Sequence, residues 1–218
     1  MRKLSTSLLL IALISGCGSV SLMPQSAPER EVVDIEPAID EQRRETGEPV
    51  AEMTVDVDPD IRVLYTKALE AMAEDNEAVA SALLFEITEQ EPQLAGAWVN
   101  LSILATQQND PKAADEYLTK ALTYNPNNCD ALSLQGVRQR VAGMFNDAEA
   151  SYMKCLEQNP YHLQARLNLG ILYELYMGRF TDALVMYQEY QLAQVEPDTT
   201  VRGWMMDLER RVASLAKR

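Results

Sequence analysis

One histidine, three cysteines and a scatter of carboxylates are the side chains of this 218-residue chain that could do acid–base, nucleophilic or metal chemistry. His162 follows Pro160 in a turn-forming segment, where a solvated ring is expected rather than a general base. Cys129 and Cys155 are 26 residues apart and do not form a C-x-x-C pair. No G-x-S-x-G elbow, H-E-x-x-H helix or glycine-rich phosphate loop accompanies them. Glu86, Glu89 and Glu91 fall on a charged helix face, where solvation alone accounts for them. Asp56, Asp58 and Asp60 alternate like the start of an EF-hand loop, but Ile61 stands at its sixth position and Lys67 at its twelfth, so they read as solvated linker charge. The inventory predicts neither an enzyme nor a cofactor, and no metal site.

Cys17 differs from the other two in its surroundings. Arg2 and Lys3 precede a seven-residue apolar run, Leu8 to Ile14, and the small residues Ser15 and Gly16 come directly before the cysteine. A charged start, a short apolar core and a small-residue cut site make a secretory signal, well under the roughly 20 residues of a spanning helix. Ile14-Ser15-Gly16-Cys17 resembles the lipobox of bacterial lipoproteins, with Ile14 where Leu is usual. The resemblance implies cleavage after residue 16 and acyl chains on Cys17, a palmitate-type anchor in which each buried methylene contributes about 0.8 kcal/mol. Gly18, rather than Asp, implies the outer membrane by the sorting rule of enterobacterial lipoproteins. The expected location is lipid-anchored on its periplasmic face.

Residues 17–58 then form a tether. Pro24, Pro28, Pro37 and Pro49 interrupt it, and eleven acidic residues face only Arg30, Arg43 and Arg44. About 40 flexible residues span roughly 35 Å. The chain carries a formal charge of −14, and loss of Arg2 and Lys3 with the signal makes it −16. Such a charge repels phosphate backbones, so nucleic acid is not an expected partner.

The fold is legible from period. Ala80, Ala114 and Ala148 are 34 residues apart, as are Pro92, Pro126 and Pro160. Ala68, Ser102, Gly136 and Gly170 repeat the same interval with small residues, and a fourth unit reaches Ala183 with a one-residue slip. A shared 34-residue period in two helix-type markers predicts stacked helical hairpins. The small residues mark close helix crossings, and the prolines end second helices. Asp110 before Pro111 is expected to cap a helix.

These units resemble tetratricopeptide (TPR) repeats. Trp98, Leu101, Ala105, Ala114, Ala121 and Pro126 fill the family's slots most completely, and Leu169, Gly170, Tyr173 and Ala183 keep them in the fourth unit. The resemblance implies an all-α, right-handed superhelical solenoid of about four units, 61–94, 95–128, 129–162 and 163–197, within a domain over 59–197. Val201, Trp204, Met205, Leu208, Val212 and Leu215 share one helical face over 198–218, a capping helix for the open end. Cys129 and Cys155 come to one end of a hairpin, and an expected offset of a turn or more favours two buried free thiols over a disulfide, which needs Cα atoms within about 7 Å.

In TPR proteins the first helices line a concave groove. The matching positions are Tyr65, Leu69, Met72, Val99, Ile103, Thr106, Val137, Arg140, Leu167, Ile171 and Glu174. Asn100 and Asn168 are present without the basic residues of a carboxylate clamp, so the row suits an amphipathic helix or an extended apolar peptide. The same side chains could equally pack between repeats, and the tether's own Val32, Val33, Ile35 and Ile39 are a further candidate occupant. The expected function is a protein–protein interaction scaffold for an envelope machine. Lipidated TPR proteins of this kind resemble pilotins, pilus-assembly factors and accessory proteins of secretion or TonB-type systems. A regulatory adaptor for peptidoglycan or other envelope enzymes is the alternative, and a periplasmic hydrolase a remote one.

Overall fold

Turn chemistry at regular intervals cuts the chain into helices. The computed structural model describes residues 57–215, so the signal over 1–16, Cys17, the tether up to residue 56 and the final residues 216–218 lie outside the described residues. Four hairpins follow in order: α1 (Pro59–Ala73) with α2 (Glu77–Gln90), α3 (Ala95–Gln107) with α4 (Pro111–Tyr124), α5 (Cys129–Val141) with α6 (Phe145–Gln158), and α7 (Leu163–Ile171) with α8 (Phe180–Leu192). A closing helix, α9 (Thr199–Leu215), packs on α8. No strand occurs among the described residues. The fold is the all-helical solenoid that the 34-residue period predicts.

Caps fix where the helices begin. Asp110 Oδ1 accepts from the Ala113 amide at 3.0 Å, with Pro111 at the first helical position where no donor is needed. Asp58 Oδ1 accepts from the Asp60 amide at 2.8 Å and caps α1, so it is an ordered helix start rather than solvated linker charge. Each hairpin turns through one left-handed residue: Asp75 (φ 55°), Asn109 (φ 57°), Gly143 (φ 77°) and Gly178 (φ 65°). The first three are 34 residues apart and the last is 35 on, so the slip seen in the sequence falls before Gly178. A π-helical turn over Leu172–Tyr176 continues α7 at that place. A π turn is how a helix absorbs one extra residue while keeping its two ends in phase.

Packing within each hairpin follows a small-against-large rule. Gly136 faces Tyr152 and Gly170 faces Tyr187, with the two tyrosines fully buried. The aligned slots of the earlier units hold Ala68 with Leu84 and Ser102 with Leu118, again all buried. Ser102 adds a polar tie, donating from Oγ to the Ala114 carbonyl at 2.7 Å. Two apolar clusters, one running from α1 to α5 and the other from α5 to α9, are bridged by Leu122, which packs against both. On α9, Val201 and Leu208 are buried and Trp204 lies 5.9 Å from the Tyr187 ring, while Leu215 is exposed.

The cysteines depart from expectation. Cys129 and Cys155 form a disulfide, with Cα atoms 4.6 Å apart, instead of two free thiols. Cys129 is the first residue of α5 and Cys155 sits in the last turn of α6, so both lie where the hairpin's open end is narrow. The corresponding residues one repeat earlier are Ala95 and Ala121, both buried. Small residues at both aligned slots are the mark of close approach that a count of helical rise misses.

Candidate partner-binding surface

First helices of successive units lie side by side: α3 contacts α5, and α5 contacts α7. The eleven positions expected to face a groove are spread along this row, and most are occupied in packing repeat on repeat. Met72, Val99, Ile103, Arg140, Leu167, Ile171 and Glu174 are buried, Tyr65, Leu69 and Val137 are half-buried, and Thr106 is exposed. Tyr65 illustrates the packing, because its hydroxyl accepts from Asn100 Nδ2 at 2.9 Å and ties α1 to α3. Of the eleven, Thr106 and the outer edges of the half-buried side chains are open to solvent, while the apolar members set the spacing between repeats.

Between α3, α5 and α7 the row contains a recess of about 10 Å³, room for a single water. Val99 and Ile103 form one wall, and Asp130, Ser133, His162 and Gln164 the other. His162 is 6% exposed, a buried residue and not the solvated turn residue expected. Its Nδ1 accepts from the Ala165 amide at 3.1 Å and caps α7, while Nε2 lies 2.8 Å from Asp130 Oδ1. An acceptor at Nδ1 puts the neutral ring's proton on Nε2, where it donates to the carboxylate. The pair links the start of α5 to the start of α7, and with it the third unit to the fourth. The same corner gathers groups that can ligate a metal: Cys129, Cys155 and His162 bring their sulfur and nitrogen atoms within 4.8 Å of one another.

A second polar set, buried at Arg140, Glu174 and Tyr187 and exposed at Tyr176 and Arg179, occupies the other end of these helices. Tyr187 donates to Glu174 Oε2 at 3.0 Å, from α8 into the π turn. Arg140 donates from Nη1 to Tyr176 Oη at 3.4 Å, and its guanidinium carbon lies 5.5 Å from that ring's centroid. Burial pushes the Tyr152 phenol up to about 12, with the nearby Arg140 charge acting in the opposite direction. Tyr173 donates to Glu149 Oε1 at 2.8 Å, and Arg179, stacked 4.1 Å from its ring centroid, donates to the same carboxylate oxygen at 2.6 Å. Period alone places Arg140 and Glu174 on the first-helix row. Their burial is not legible there, since it depends on the extra residue of the π turn and on aromatic rings supplied by other helices.

A larger cleft, about 580 Å³, lies between α4 and α5, away from the eleven positions. Leu118, Leu122 and Met144 give it an apolar floor, and Asp115 and Arg138 form an ion pair at its edge. Sequence spacing carries no sign of it, because the cleft is formed by a second helix of one unit and the first helix of the next.

Comparison with known proteins agrees with this architecture. Residues 95–128 match the family described as "Tetratricopeptide repeat". Those bounds coincide with the second unit read from the sequence. In three dimensions the chain is similar to Pseudomonas aeruginosa PilF, with a TM-score of 0.62 at 20% identity over 71% of this chain and 69% of that one. A thermophilic TPR protein of Thermus thermophilus gives 0.56 at 22% identity, over 69% of this chain and 81% of that one. A tetratricopeptide repeat protein from Parabacteroides merdae gives 0.54 at 19% identity, over 71% and 60%. The chain therefore carries a tetratricopeptide repeat over 95–128 and folds as a TPR-like helical solenoid.

Proposed function

We propose that this chain is a non-enzymatic protein–protein interaction scaffold, lipid-anchored through Cys17 at the outer membrane, that holds or assembles a component of an envelope machine, with pilus assembly as the first choice. The observation that carries the reading is the run of adjacent first helices α3, α5 and α7, a surface with several units in register, on a fold shared with PilF. Repeat stacks of this kind present extended surfaces to protein partners. The tether and leader read from the sequence supply reach and attachment, and the acidic charge directs the domain away from anionic head groups. The expected partner is a protein segment, helical or extended, and not a nucleic acid.

The groove test needs an exposed position. Glutamate at Ile103 or Ile171 would bury a charge and unfold the repeat before it tested any partner. A photo-crosslinking residue at Thr106 in the full chain, expressed in a Gram-negative host, avoids this. The expected result is a discrete protein adduct in the membrane fraction that leaves it with Cys17→Ser. A chain that stays membrane-bound with Cys17→Ser, or that yields no adduct from position 106, overturns the reading.

A further inference from the structure

We propose that the Cys129 and Cys155 sulfurs, once their disulfide is reduced, join His162 in a three-ligand site for a zinc-class divalent cation, with Asp130 holding the histidine. The donors already converge, all within 4.8 Å of one another at the junction of α5, α6 and α7. Zinc bonds of about 2.3 Å to sulfur and 2.0 Å to nitrogen put tetrahedral donors roughly 3.5–3.8 Å apart, so the reduced sulfurs must part from bonding distance while His162 stays within reach of both. Two thiolates and an imidazole are the donor set that zinc prefers over calcium or magnesium.

Surroundings favour the site as much as distance does. Cys155 is fully buried, His162 nearly so and Cys129 partly buried, so the protein encloses the three donors. Asp130 accepts from His162 Nε2 at 2.8 Å and orients the ring, so that Nδ1, which accepts from the Ala165 amide, is the nitrogen a metal would take, the carboxylate–histidine–metal arrangement of zinc proteins. Coordination at Nδ1 exchanges the Ala165 cap bond for a metal bond.

The two forms exclude one another. A dithiol reductant hands its two electrons and two thiol protons to the two sulfurs and becomes a disulfide; a phosphine supplies the two electrons while one water supplies both protons and the oxygen of the phosphine oxide. Zinc then displaces both thiol protons to solvent. The oxidised chain is stapled by a covalent bond and the reduced chain by a metal.

Cobalt titration tests it, with the full chain as Cys17→Ser so that only two thiols remain. After reduction by a phosphine, one equivalent of Co²⁺ is expected to give thiolate-to-cobalt charge-transfer absorption and tetrahedral d–d bands, bleached by Zn²⁺, with a rise in the thermal midpoint of the reduced protein. The unreduced protein is expected to give neither. His162→Asn keeps a helix-capping side chain and should weaken Co²⁺ at least tenfold, and Asp130→Asn should weaken it by about 10- to 100-fold. A reduced protein without the charge-transfer band overturns the proposal, whether its helical circular dichroism survives or not. So does a His162→Asn variant that binds Co²⁺ as tightly as its parent.

Discussion

Gly136 leaves the space that Tyr152 fills: a Cβ built on the glycine would stand 2.5 Å from Tyr152 Cε1. The same relationship recurs one unit on, where a Cβ on Gly170 would stand 2.6 Å from Tyr187 Cε1. In the two earlier units the aligned large residue is Leu84 or Leu118, and the small one has grown to Ala68 or Ser102. The volume lost on one helix is recovered on the other, so all four hairpins keep a close crossing.

This complementarity makes Gly136→Ala destabilising by about 1–3 kcal/mol, because the Tyr152 ring must move from a filled core. Combining it with Tyr152→Leu restores the Ala–Leu pair of the first unit. Urea unfolding of the two single variants and the double variant measures the coupling; the double is expected to be more stable than the sum of the singles implies. Strict additivity would mean that the two positions do not share the space. Gly203→Ala on α9 is the control, since a Cβ there meets nothing within 4 Å, and helix propensity predicts a gain of about 0.5–1 kcal/mol.

The turn residues divide by backbone cost. Gly143 has φ 77° and open space around a would-be Cβ, so Gly143→Ala should lose about 1–2 kcal/mol through backbone strain alone. Asp75→Gly relieves the same strain at φ 55° and should shift the thermal midpoint slightly upward. An unaffected midpoint in Gly143→Ala would contradict the left-handed turn.

High pH should unfold the stack through its tyrosines. Burial is the main cause that pushes Tyr152, Tyr173 and Tyr190 each up to about 12, with Glu149 beside Tyr173 and Asp198 beside Tyr190 adding to it. A phenol raised in the folded state contributes stability that is whole below the unfolded value of 10 and is lost as pH climbs through 12. For fully buried Tyr152 the rise from 10 to about 12 is worth roughly 3 kcal/mol, at about 1.4 kcal/mol per pH unit. Urea midpoints taken from pH 8 to 12 should fall steeply above about 10, and less steeply in Tyr152→Phe. Equal slopes for the two proteins would remove Tyr152 as a cause.

Much of this architecture is written in the sequence. Alanines and prolines at a 34-residue interval set the number of hairpins, the close crossings and the helix ends, because helix packing and proline stereochemistry act locally and repeat with the chain. The slip before Ala183 is visible too, though not that α7 absorbs it in a π turn. Groove positions can be placed on the first helices, but their burial cannot, since it depends on how far one unit leans on the next. Only the tertiary structure decided the Cys129–Cys155 bond and the His162–Asp130 pair. Both join residues at helix ends from different elements, where a shift of a single turn, about 5.4 Å, decides between contact and none.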